Sequence, residues 1–218
     1  MLTMKRLAIV LLLFAVQAVP LPAAAQGVDY NILCSLQQNR TEPMDGIMTV
    51  VSNSLVLTPV APVAMLGAGW AADNRDLFRA GVDCGLSLLL TAGITEALKN
   101  SVRRPRPYLG HPDDLLPLKT VHGFSFPSGH TSLTFATATS LCLSYPRWYV
   151  VVPAALWASG VGFSRLYMGV HYPSDVLVGA LVGVGSALAA HWLADKVRDA
   201  NSPVPTPKAF VVPLTVRF

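Results

Sequence analysis

Three short blocks hold most of the residues in this sequence that can do chemistry. The first runs from Lys99 through six residues to Arg106 and Pro107. The second is Pro127, Ser128, Gly129, His130. The third opens at Ser164 and Arg165, passes five residues to His171, and ends four residues further on at Asp175. Together they supply three cations, two imidazoles, one carboxylate and a Ser-Gly turn. That set suits the holding and attacking of a phosphate. Guanidinium groups bind phosphate oxygens in pairs, and an ammonium acts as a point charge. Cations placed in this way stabilise the charge on the equatorial oxygens of a phosphoryl transition state. One imidazole can attack phosphorus and another can carry protons.

Each block also has a plainer reading. If a helix begins near His171, Asp175 shares a face with it. The carboxylate then accepts from Nδ1 and leaves Nε2 free, the orienting role of a triad acid. The same pair reads equally as a helix-capping Asp beside an interfacial His. Ser128 and Gly129 offer a hydroxyl and an open backbone N–H at a helix start, an anion site; taken alone they are an ordinary turn. Lys99 and Arg106 also fit snorkelling toward lipid headgroups. Arg103, Arg104 and Lys119 are not among the fixed positions of the three blocks and are assigned to that role. His111 and His122 lie in the same loop, within reach of a headgroup, whereas His191 lies at the opposite end of its segment. Asp83 and Glu96 sit inside apolar stretches, where carboxylates mark function or pair with a neighbour such as Arg79.

The elements that position these blocks are apolar. The 218 residues are 52% hydrophobic and only 13% charged, about half the charged share of a soluble domain. That balance, at a length typical of one domain, predicts an all-α integral membrane bundle. The formal charge of +4 does not indicate nucleic acid, because five of the sixteen Lys and Arg fall in 99–119 with no aromatic interleaving. Cys34, Cys84 and Cys142 have no metal or redox spacing.

Residues 1–25 have a basic start, an apolar run and a small-residue end, the anatomy of a signal peptide. An uncleaved first membrane helix is the alternative. Residues 26–46 are polar and are expected to form a short amphipathic or interfacial lead-in. The membrane domain, 47–198, is expected to cross five times, at 47–72, 77–98, 130–143, 148–163 and 175–193, or six times if the first segment is retained. Gly179 and Gly183 permit close helix contact. Residues 199–218 form a Pro-rich tail. With residue 26 outside the cytoplasm, Arg75, Arg147, Lys196 and Arg198 face inward, as the positive-inside rule asks. All three blocks then share one face, the periplasmic face of a bacterial inner membrane.

The blocks, in this order, resemble the type 2 phosphatidic acid phosphatase superfamily, which also contains bacterial acid phosphatases and vanadium haloperoxidases. The resemblance covers roughly 45–195 and matches every fixed position of the family's three-part signature. It implies a phosphatase in which His171 is the nucleophile, His130 the general acid and then base, and Asp175 the residue that orients His171. It implies phosphate binding by Lys99, Arg106, Ser128, Gly129 and Arg165, with no metal and no cofactor. The substrate classes it implies are lipid phosphates and diphosphates: undecaprenyl diphosphate, lipid A, phosphatidic acid or phosphatidylglycerol phosphate. The expected partners are that substrate and membrane lipids, with no nucleic acid; the sequence does not set the oligomeric state. A haloperoxidase would hold vanadate on His171, but such proteins are larger and soluble. A soluble acid phosphatase fits the signal segment but not the spans. A non-catalytic binder or transporter of anionic lipids would need the cations, yet not His130, His171 and Asp175.

Overall fold

The apolar segments become helices, and the computed structural model describes them over residues 23–201. The expected signal segment and Pro-rich tail fall almost wholly outside the described residues. Helix α1, Ala23–Gln38, is followed by α2, Glu42–Asn53, which starts with a proline in its first turn and with Glu42 and Asp45 at its positive end. A 3₁₀ turn, Ser54–Val56, leads into α3, Leu57–Ala71. Pro59 cannot donate to the preceding turn and its ring crowds it, so the expected first span is two helices joined at a break.

Asn74 caps α4, Arg75–Val102, by accepting from the Leu77 N–H at 3.0 Å. That helix stops at Arg103, which adopts a left-handed φ of 51° two residues before Pro105. A single turn, α5 (Pro107–Gly110), interrupts the long loop that follows. The last three helices are α6, Gly129–Ser144, α7, Trp148–Tyr167, and α8, Pro173–Asn201. No strand occurs among the described residues.

Helix α6 is the hub, packed by α4, α7 and α8, with α3 on α4 and α2 on α7. Its buried face carries Thr131, Ser132, Thr134, Thr137 and Ser140. Their small side chains let neighbours approach, and several of the hydroxyls donate back to carbonyls of their own helix, as Ser132 does to Ser128 and Thr137 to Leu133. The Gly179–Gly183 pair does what its spacing predicts. A Cβ at Gly179 would sit 2.8 Å from the Ser128 carbonyl oxygen, and one at Gly183 would overlap the Ser132 carbonyl. Backbone contact between α8 and α6 sets the distance between the ends that carry Asp175 and His130.

Among the described residues, four stretches are long and apolar enough to cross a membrane: Glu42–Ala71, Arg75–Gly110, Trp148–Tyr167 and Pro173–Ala200. The fifth expected crossing, α6, has only 16 residues and is enclosed by the others. Large apolar side chains such as Val50, Val63, Leu89, Leu156 and Leu181 are exposed on the outer helix faces, as a hydrocarbon surrounding requires.

Residues 26–46 are mostly helix, and Leu33 of α1 is buried with Leu115 and Tyr172. One sequence expectation changes. Asp83 does not pair with Arg79, which meets the exposed Asp76 at 3.8 Å. Asp83 instead bonds Arg198 and lies 3.7 Å from Nδ1 of His191, whose Nε2 is 2.9 Å from the Ser140 hydroxyl. This polar cluster closes the end of the bundle opposite the three blocks. Glu96 is exposed and accepts from Asn100 at 2.8 Å.

Candidate active site

The three blocks meet at one end of the bundle. Lys99 lies in the last turn of α4, and Arg106 immediately precedes α5. Ser128 is the N-cap of α6, Arg165 lies in the last turn of α7, and Asp175 lies in the first turn of α8. His171 occupies the short connection between α7 and α8. The Ser128 N–H donates to the Asp175 carbonyl at 3.0 Å and ties two helix starts together.

The surroundings of His171 define its protonation. Nδ1 is 2.8 Å from the Ser125 carbonyl oxygen. A carbonyl only accepts, so Nδ1 carries the hydrogen and Nε2 presents a lone pair. Arg106 Nη1 lies 3.4 Å from that Nε2. Burial pushes the His171 pKa down to about 4 against the opposing pull of Asp175, so the ring is neutral at neutral pH.

The expected direct bond from Nδ1 to Asp175 is replaced. Asp175 Oδ2 is 3.6 Å from Nδ1, beyond hydrogen-bond length. Sitting three residues after Tyr172, Asp175 reaches back to the Tyr172 N–H at 2.9 Å, the geometry of a capping box. The same oxygen accepts from the Ser125 hydroxyl. Asp175 therefore acts on His171 through Ser125, and as a nearby negative charge.

The cations are held by backbone oxygens. Arg106 donates to the carbonyls of Gly123, Val170 and His122 at 3.0, 2.9 and 3.1 Å. Lys99 Nζ donates to the Phe124 carbonyl at 2.8 Å. Arg165, 3% exposed, donates from Nη1 to the Ser52 hydroxyl at 2.5 Å, while its buried Nε meets no protein acceptor. Lys99, Arg106, Arg165 and His171 all lie close enough to His130 to act on it electrostatically. At Gly129 a Cβ would meet Thr95 and Lys99 only at ordinary contact, 3.8 and 4.0 Å. The Ser128 side chain does not cap α6 and instead accepts from the Thr131 hydroxyl at 2.9 Å. The first-turn N–H groups of α6 thus remain available to an anion. The arrangement can bind a phosphate, present a neutral imidazole nitrogen to it, and place a second imidazole beside it.

Three residues that the sequence reading left outside the site join this set. Arg104 is not at the headgroups: its side chain is 12% exposed and contacts Asp175 at 2.8 Å. The left-handed Arg103 stays exposed and turns its successor inward. The available signal was spacing, because residues flanking an extended proline, here Arg104 and Arg106 around Pro105, project to the same side. Ser125 and Asp29 had no such signal. Lys119 is exposed, as expected. His122 contributes a carbonyl, and His111 stacks near Tyr30 with ring centres 4.6 Å apart.

Residues 80–199 match the family model of the PAP2 superfamily. A lipid A 1-phosphatase of Porphyromonas gingivalis is 30% identical over 83% of this chain, which spans 38% of that protein's length. An undecaprenyl-diphosphatase of Sulfolobus acidocaldarius is 27% identical over 80% of this chain and 84% of its own. The crystal structure of a transmembrane PAP2-type phosphatidylglycerolphosphate phosphatase from Bacillus subtilis superposes with a TM-score of 0.69 at 25% identity, covering 88% of this chain and 96% of that one. The family match, the helical fold and the clustering of all three blocks at one end agree: this chain belongs to the PAP2 superfamily and is a helical membrane protein of that family.

Proposed function

We propose that this protein is a membrane phosphatase that hydrolyses a lipid phosphate or diphosphate without a metal ion, through a phosphohistidine on His171. The observation that carries this reading is the unprotonated Nε2 of His171, set by the Nδ1 contact to Ser125 and flanked by Arg106. In the first step the Nε2 lone pair attacks phosphorus, the bond from phosphorus to the leaving oxygen breaks, and His130 gives that oxygen its proton. In the second step His130 takes a proton from water, the oxygen of that water attacks phosphorus, and the N–P bond breaks to release inorganic phosphate. Lys99, Arg106, Arg165 and the start of α6 hold the equatorial oxygens throughout.

A lipid is favoured over a soluble ester by the surroundings of the pocket. A groove of about 570 Å³ opens beside α3 and α4, lined by Leu55, Pro62, Leu89, Ala92 and Leu133 among others. Leu133 lies one helical turn below His130, which places one wall of this groove near the start of α6. The names of the similar proteins point to lipid A, undecaprenyl diphosphate and phosphatidylglycerol phosphate as substrates to try. Arg75, Arg147, Lys196 and Arg198 at the other end support a periplasm-facing site.

The test is phosphate release from a panel of these lipids by the purified full chain in detergent, with chelator present and with vanadate as inhibitor. Release that survives the chelator and is blocked by vanadate supports the proposal. No release from any lipid, or activity that needs added magnesium, overturns it. Orientation is tested separately. A cysteine at the exposed Leu116 should react with an impermeant thiol reagent in outer-membrane-permeabilised cells, and one at Arg147 should not.

A further inference from the structure

Among the described side chains of α1, Asp29 and Leu33 are buried, one turn apart on one face. Leu33 makes an ordinary apolar contact with Leu115 and Tyr172. Asp29 is different, because a carboxylate at 4% exposure is costly to bury unless donors surround it. Three do. The Ser174 N–H donates to Oδ1 at 3.0 Å, and the Ser174 hydroxyl and Arg104 Nη2 donate to Oδ2 at 2.5 and 2.9 Å. Asp29 thereby caps α8 from another helix and grips one edge of Arg104.

The other edge of Arg104 faces the reaction. Nη1 donates to Asp175 Oδ1 at 2.8 Å and to the Ser174 hydroxyl at 2.7 Å, and the guanidinium lies 3.8 Å over the Tyr172 ring. Asp175 in turn receives the Ser125 hydroxyl, and the Ser125 carbonyl receives Nδ1 of His171. A continuous chain of polar contacts thus runs Asp29, Arg104, Asp175, Ser125, His171. Without Asp29, Nη2 loses its acceptor beside a pocket built for a multiply charged anion. An unanchored guanidinium would turn toward the phosphate and release or drag Asp175.

We infer that Asp29, on a helix outside the residues matched by the family model, is a positioning residue of the active site that holds Arg104 against Asp175 and so keeps His171 aligned. This rests on the phosphatase reading above. Elsewhere α1 is secured by contacts that do not involve Asp29. The Tyr30 hydroxyl donates to Asp114 at 2.8 Å, and Gln37 accepts from the Leu116 N–H at 2.9 Å. Loss of the Asp29 charge therefore need not detach the helix.

The experiment compares Asp29→Asn, Asp29→Glu and Tyr30→Phe with wild type, using the purified full chain and a lipid phosphate that the wild type hydrolyses. Asp29→Asn should lower kcat about 10- to 100-fold, as small misalignments do, with KM moved less than about twofold. Asp29→Glu should recover part of the loss, and Tyr30→Phe should resemble wild type. In protein carrying ¹⁵N-histidine, the His171 nitrogen signals should shift in Asp29→Asn and not in Tyr30→Phe. An unchanged kcat with unchanged His171 signals overturns the inference, as does a loss confined to KM. If Asp29→Asn does not accumulate, Arg104→Lys tests the same link, since an ammonium cannot bridge both carboxylates as a guanidinium does. It should show the same loss in kcat. If the wild type hydrolyses no lipid phosphate, the functional proposal fails, and the His171 signals of the variants still decide this one.

Discussion

His171 Nδ1 lies 2.8 Å from the Ser125 carbonyl oxygen and 3.6 Å from Asp175. A backbone atom holds the ring in its Nδ1–H tautomer, and the carboxylate braces the residue that supplies that atom. The roles of orientation and charge, combined in one residue in a serine-protease triad, are here divided between two.

That division separates two substitutions. Ser125→Ala keeps the carbonyl and removes the hydroxyl that meets Asp175, so kcat should fall about tenfold, the scale of one bond to a charged group. Asp175→Asn removes the charge and puts a donor where an oxygen now accepts, so the loss should be larger, about 10²–10⁴-fold. Steady-state kinetics on a lipid phosphate checks the order. A Ser125→Ala loss equal to that of Asp175→Asn would mean that the hydroxyl, not the carbonyl, orients the ring.

The second prediction concerns pH. The folded pKa of His171 lies near 4, whereas a free imidazole has an ordinary value of about 6.5. As pH falls from about 6.5 toward 4, the unfolded chain takes up a proton that the folded protein does not. The stability contributed by this site is therefore present above that window and lost on acidification through it. The Nε2 lone pair persists through the same window. Titration of ¹⁵N-histidine protein in detergent should show the Nδ1–H tautomer of His171 still neutral at about pH 5.5. A His171 midpoint near that of a free imidazole would contradict this.

The two histidines should separate by leaving group. His171→Ala removes the covalent step and should abolish turnover of every substrate. His130→Ala removes proton donation, worth about 10²–10⁴-fold and least needed when the leaving group is already acidic. Assayed with p-nitrophenyl phosphate, if it is accepted, His130→Ala should regain much of its activity and His171→Ala none. With a lipid phosphate ester neither should recover. Label trapped on His130 in the wild type would reverse the assignment.

Packing supplies the fourth test. Gly183→Ala places a methyl group against the Ser132 carbonyl and the Ala136 amide nitrogen, so α8 must move away from α6. Such overpacking costs about 1–3 kcal/mol and should lower the thermal midpoint in detergent. It should also reduce activity, because the same two helices carry Asp175 and His130. Gly185→Ala has nothing within 4 Å of the added carbon and should leave both unchanged. Equal behaviour of the two variants would argue against backbone contact at Gly183.

The sequence by itself determined where the candidate site residues lie on the chain. Lys99, Arg106, Ser128, Gly129, His130, Arg165, His171 and Asp175 all sit at or near helix ends, where short-range rules of capping, proline and apolar run length already constrain the backbone. Those rules also set the helices apart and made Gly179 and Gly183 a contact. Tertiary structure decided which groups orient which. Asp175 lay four residues from His171 and looked like its direct partner, but the helix start claimed that carboxylate and the ring turned to Ser125, 46 residues away. Arg104 looked like one more surface cation until its partners proved to be Asp175 and Asp29, 71 and 75 residues distant. Local spacing carries the geometry of one turn of backbone. A buried charge takes whatever opposite charge the packing brings within reach, and a contact between separate helices leaves no period in the sequence.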